Sequence, residues 1–182
     1  MEDSVPIGSF TYGVMLALLL FGRGMDLLST WVATPNLALE ANPIAKKLGW
    51  KWGVIVNLGM CGYFATWPLP AIVIATTSVL VAARNLQTAW LARALGELAY
   101  RSWISARFAQ TRWGLYLFCV WGQALLTAAV GGALMFFCPL QLVPFAVGMG
   151  IVTYAAAVAF YTVLAAWRSR RTLAAMAYSE HL

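Results

Sequence analysis

Two stretches of the chain, residues 113–137 (WGLYLFCVWGQALLTAAVGGALMFF) and 142–167 (LVPFAVGMGIVTYAAAVAFYTVLAAW), contain no charged side chain. Runs of about 20 apolar residues match the hydrocarbon thickness of a bilayer, where a helix satisfies its own backbone N–H and C=O groups without water. Three further segments read the same way: 7–34, which begins IGSFTYGVMLALLL; 50–66, WKWGVIVNLGMCGYFAT; and 70–86, which follows WPLP. Of the five, 50–66 and 70–86 are the shortest, and a very brief loop joins them. Composition agrees, since 62% of the residues are hydrophobic and 10% charged, against roughly a quarter charged in soluble domains. The expectation is an all-α, polytopic transmembrane helical bundle of about five spans, forming one domain over residues 1–182. The opening MEDSVPIG lacks a basic region before the first apolar run, so the first span is expected to be retained and not cleaved as a signal peptide.

The net charge of +6 raises a nucleic-acid reading, which the positions of the charges dispose of. Lys46, Lys47 and Lys51 follow the first span; Arg84, Arg93, Arg101, Arg107 and Arg112 lie between the third and fourth; Arg168, Arg170 and Arg171 follow the fifth. The connections WPLP and CPLQ carry no charge. Basic residues thus sit on alternate sides, and the positive-inside rule makes that side the cytoplasm. The N-terminus is expected outside and the C-terminus in the cytoplasm, in the plasma (inner) membrane of a prokaryote. The partners this implies are the lipid bilayer and anionic headgroups at the cytoplasmic face. A protein partner or a homo-oligomer is also compatible, because small-residue patches such as AVGGA and GMG allow close helix contacts within or between chains.

Residues 84–110 are too polar to span and too periodic for a loop. Arg93, Glu97 and Arg101 recur every four residues, with Leu91, Leu95, Leu98 and Ile104 on other faces, which predicts an amphipathic helix with a solvated charged face that either lies in the cytoplasmic interface or extends the third span into the cytoplasm. Trp31, Trp50, Trp52, Trp67, Trp113 and Trp167 fall near the expected span ends, as interfacial anchors do. Cys61, Cys119 and Cys138 have no metal-site spacing, and the single histidine, His181, lies in the tail. No internal repeat is evident.

The segment FGRGMDLLSTWVATPNLALEANP, residues 21–43, breaks this apolar pattern. With the first helix ending near Thr34, Asp26 lies roughly 12 Å inside it. A carboxylate at that depth faces a partner or water and marks either a structural pair or a functional site. Arg23, one turn away, is close enough to be the partner, and Thr30 extends the polar stripe beside Ser29. Asn57 in the second span should lie at a similar depth, which predicts an Asp26–Asn57 hydrogen bond. Pro35, Pro43 and Gly49 constrain a loop that presents Glu40 and Asn42 toward the same region. Oxygen groups from Asp26, Thr30, Glu40, Asn42 and Asn57 would suit a hard cation or a proton relay and not zinc; no metal site is assigned, and no cofactor is indicated. The alternative is structural: Arg23 and Asp26 neutralise each other, Glu40 pairs with Lys46 or Lys47, and Asn42 caps a helix that starts at Pro43.

Asp26 and Thr30 in DLLST, followed by Glu40, Asn42 and Pro43 in EANP, resemble the Asp-x-x-x-Thr and Glu-x-Asn-Pro signature of an uncharacterised family of small prokaryotic membrane proteins. The resemblance covers about the first 60 residues. It implies that these five residues form one constellation and brings no activity with it.

Three classes of function follow. The first is a non-enzymatic structural or accessory membrane protein whose polar cluster clasps the first two helices and their loop. The second is a small transporter or channel using Asp26 and Glu40 as a proton or cation site, with Gln123 and Thr127 either lining a path or serving as isolated interhelical groups. The third is an intramembrane enzyme acting on a lipid or membrane-bound substrate with Asp26 or Glu40 as general base. The sequence has no nucleophile elbow and no HExxH, and Ser29 has no nearby histidine to activate it.

Overall fold

The computed structural model describes residues 4–40 and 43–179, the side chains at 43–45, 109, 169 and 172–179 excepted. Among the described residues there are six helices and no strand: α1 (Phe10–Ala33), α2 (Pro43–Phe64), α3 (Pro68–Leu95), α4 (Glu97–Gln110), α5 (Trp113–Phe137) and α6 (Leu142–Ser179). Four are long and apolar enough to cross a membrane: α1, α3, α5 and, over Leu142–Arg168, α6.

Each helix boundary has a local cause. Ser9 caps α1, its hydroxyl accepting from the Tyr12 N–H at 3.2 Å, and Pro35 follows the C-cap Thr34. Pro68 opens α3 at a position whose N–H would be orphaned anyway. Gly49, at φ 67° and ψ −177°, bends α2 and separates the part bearing Lys46 and Lys47 from the part, opening with Trp50 and Lys51, that continues the expected 50–66 span.

Gly96, at φ 81°, corrects the expected continuous helix over 84–110. Its left-handed backbone ends α3 at Leu95 and starts α4 at Glu97. The part before the break extends the third span, and Arg93 and Glu97 stand on different helices and not on one shared face.

The packing fixes the directions of the helices. At one end the Val5 N–H donates to the Thr66 carbonyl at 2.8 Å; at the other the Thr34 hydroxyl donates to Glu97 at 2.7 Å. Hence α1 and α3 run parallel, and α2 returns the chain between them. Thr77 reaches the Gly150 carbonyl at 3.0 Å and Arg84 reaches Thr162 at 3.2 Å, so α6 also runs parallel to α3. The Tyr116 hydroxyl bonds the Thr162 carbonyl at 3.3 Å, which sets α5 antiparallel to α6. All three basic groups of the sequence therefore gather at one end of the bundle, with Val5, Trp67 and Cys138 at the other.

Close approach takes the place of a bulky core. The buried apolar positions are mostly alanine, among them Ala71, Ala75, Ala82, Ala146, Ala155 and Ala166, as expected where helices associate in lipid through backbone proximity. The patches AVGGA and GMG meet within the chain: a Cβ on Gly131 would lie 2.6 Å from the Gly148 carbonyl oxygen, and one on Gly150 would lie 2.7 Å from the Thr76 Cβ.

Candidate functional site

Gly22 brings α1 so near α3 that a Cβ there would lie 3.0 Å from the Ala75 carbonyl oxygen. Arg23 follows in the seam where α1, α2 and α3 meet. Its Nη1 donates to Asp26 Oδ2 at 2.8 Å and to Ser78 Oγ at 3.1 Å, while its Nε donates to Asn57 Oδ1 at 2.6 Å. Asn57 in turn donates through Nδ2 to the Gly53 carbonyl at 2.7 Å, which fixes the amide with its oxygen toward Arg23. One guanidinium thus ties three helices together. The expected Asp26–Asn57 hydrogen bond is corrected: Arg23 stands between them, because its long side chain and forked donors reach both acceptors at once.

A second polar layer lies one turn further along α1. Asn85 of α3 donates through Nδ2 to Ser29 Oγ at 3.3 Å and to Thr30 Oγ1 at 3.2 Å. Ser29 is fully buried and donates to the Asp26 carbonyl at 2.9 Å. Thr30 therefore takes part through α3.

The third layer closes the end of the bundle. Glu97 accepts from the Thr34 hydroxyl at 2.7 Å, from the Asn36 N–H and side-chain amide at 3.0 Å each, and from the Ala38 N–H at 3.1 Å. Between the two backbone donors lies Leu37 at φ 54°, a left-handed conformation costly for a bulky side chain unless its surroundings impose it. Partial burial pushes the Glu97 carboxyl up, but the donors from Asn36, Thr34 and Ala38 outweigh it and hold its pKa below the ordinary 4.5. Arg93 adds a bond from Nε to the Val32 carbonyl at 2.6 Å and lies 5.7 Å from the centre of the Trp31 ring. Trp50 Nε1 donates to the Pro35 carbonyl at 2.7 Å. The face expected to be merely solvated is instead the anchor of the α1–α2 loop.

Glu40 is the last described residue of that loop, its N–H donating to the Leu37 carbonyl at 3.4 Å. Asn42 lies outside the described residues. Gln123 is exposed on α5, and the Thr127 hydroxyl donates back to the Gln123 carbonyl at 2.9 Å.

The residues not foreseen are Ser78, Asn85 and Glu97. A signal existed for each, since Ser78 and Asn85 interrupt an apolar run and Glu97 is one of only 6 acidic residues in the chain. Arg23 engages Asp26 Oδ2 and Asn57 Oδ1, two oxygens that a hard cation would otherwise use, and among the described residues no group of three His, Cys, Asp or Glu side chains gathers as metal ligands. Comparison of the chain with protein-family models, curated proteins and solved structures finds no match.

Proposed function

We propose that this chain is a non-enzymatic, multi-pass protein of the plasma membrane with a structural or accessory role, and that Arg23, Asp26, Asn57 and Ser78 form a clasp that holds α1, α2 and α3 in register. The observation that carries this reading is that the Arg23 guanidinium donates to acceptors on all three helices, to Asp26 and Ser78 through Nη1 and to Asn57 through Nε. A partly buried charge that is hydrogen-bonded to three helices at once fixes their mutual geometry.

The topology belongs to the same proposal: five spans, the N-terminus outside and the C-terminus cytoplasmic. Between two parallel spanning helices the connecting segment must recross the same thickness, and the part of α2 beyond the Gly49 bend, residues 50–64, rises about 22 Å, most of a hydrocarbon core of about 30 Å. Clustering of the lysines and arginines at one end supports the orientation.

A second reading, a small transporter that uses Asp26 and Glu40 for a proton or cation, is favoured by the position of Asp26, a carboxylate with its side chain 17% exposed within a helix apolar enough to span. One pair of experiments separates the two. For a clasp, Asp26→Asn lowers the detergent melting temperature, no cation or pH step stabilises the wild type selectively, and liposomes holding the protein show no proton, monovalent or divalent cation flux. Flux that disappears in Asp26→Asn, or a cation-specific stabilisation lost with it, would replace the clasp by a transport site.

A further inference from the structure

The α5–α6 pair carries a groove that the polar clasp does not use. It encloses about 470 Å³, within the roughly 300–1,000 Å³ of ordinary ligand sites. Its floor is made of small residues, including Ala124, Ala128, Ala156 and Ala159, and Trp121 and Phe160 flank it. Along α6 it runs from Val152 to Trp167, about 22 Å at the helical rise, which exceeds the half-thickness of about 15 Å that one leaflet's acyl chains occupy.

The two ends of the groove differ. Trp113 and Trp167 close the end nearest the basic cluster, and each carries an arginine: Arg170 lies 4.8 Å from the Trp113 ring centre and Arg171 lies 4.1 Å from that of Trp167. The Arg170 Nη2 is anchored by the Phe108 carbonyl of α4 and the Thr111 carbonyl of the α4–α5 connection. Arg171 and Arg112, by contrast, are exposed, and Arg112 directly precedes Trp113. An apolar slot that ends in aromatic rings with exposed guanidinium groups beside them complements an amphiphile with a negative head.

We propose that this groove is a site for one anionic phospholipid of the leaflet facing the basic end, with an acyl chain along the alanine floor and the phosphate at Arg171 and Arg112. The proposal rests on α5 and α6 crossing a membrane and not on the role of the Arg23 clasp. The aromatic rings hold the interface level while the guanidinium groups select charge.

The test is native mass spectrometry and thermal unfolding of the purified full chain in neutral detergent, with phosphatidylglycerol or phosphatidylcholine added to the micelles. Phosphatidylglycerol is expected to give a discrete one-lipid adduct and a raised melting temperature, and phosphatidylcholine neither. Arg171→Gln should weaken phosphatidylglycerol retention roughly fivefold, as expected for one basic side chain at a membrane surface. Ala156→Phe, which fills the groove from an exposed position, should abolish the discrete adduct while the lipid-free melting temperature stays near wild type. Equal binding of both lipids, or an unchanged adduct in Ala156→Phe, would overturn the site. A lipid-free dimer that Ala156→Phe dissociates would overturn it too, giving the groove to a second copy of the chain. None of these outcomes bears on whether Asp26 is a clasp or a transport site.

Discussion

Replacing Glu97 by alanine removes the acceptor of four hydrogen bonds from Thr34, Asn36 and Ala38. A hydrogen bond to a charged group contributes about 1.5–3 kcal/mol when well shielded, but Glu97 is only half-buried, and competition with water lowers each to about 0.5–1 kcal/mol. Four such bonds stabilise the loop by about 2–4 kcal/mol, and relief of the Leu37 backbone returns about 1 kcal/mol on opening. The net loss of about 2 kcal/mol corresponds to roughly thirtyfold more opening. It is local, because the Arg23 layer lies deeper in the bundle. Hydrogen exchange of the 34–40 amides, in detergent and corrected for intrinsic rates, reads it directly: Asn36 and Ala38 should exchange about thirtyfold faster in Glu97→Ala, with α5 and α6 unchanged.

The pH dependence has a definite sign. Since the folded pKa of Glu97 lies below its ordinary 4.5, its contribution is complete above that value and is lost as the pH falls through the folded value. Wild-type protection at Asn36 and Ala38 should therefore decline on acidification, while that of Glu97→Gln should stay flat. Identical exchange in wild type and Glu97→Ala, or protection independent of pH, would refute the reasoning.

Gly22→Val should cost about 1–3 kcal/mol, because its side chain meets the Ala75 backbone, which cannot move aside as a flexible side chain would; a clearly lowered melting temperature in detergent checks this. Asn85→Leu should cost about 0.6–2 kcal/mol, and the loss should vanish on a background where Ser29 and Thr30 are already alanine. With Cys61 and Cys119 replaced, Cys138 at the C-cap of α5 should be labelled in intact cells by a membrane-impermeant maleimide, since it lies at the end away from the arginines. Labelling only after cell lysis would invert the proposed orientation.

The helical architecture was legible because long apolar runs admit one secondary structure in lipid, and four of the expected segments recur as helices apolar enough to span. The Arg23–Asp26 pair was legible too, since residues three apart on a helix face each other. Partners on other helices were not. Which residues of α3 meet α1 depends on the rotation of both helices, and that rotation is set by Gly22 against Ala75, a close approach no periodicity reveals. Glu97 was misplaced for a different reason. A four-residue spacing implies a shared face only if the helix is continuous, and Gly96 interrupts it with a positive φ.

Whether Arg23 and Asp26 form a clasp is read from a double-mutant cycle with Arg23→Met and Asp26→Leu, followed as melting temperature and unfolding free energy in detergent. Removing one member of a buried pair strands the other and costs about 3–5 kcal/mol at full burial; this pair is 27% and 17% exposed, so about 2–3 kcal/mol is expected for each single variant. The clasp predicts that the double variant recovers much of that loss, with a coupling of about 1–3 kcal/mol. Strictly additive losses, or single variants as stable as wild type, would contradict it.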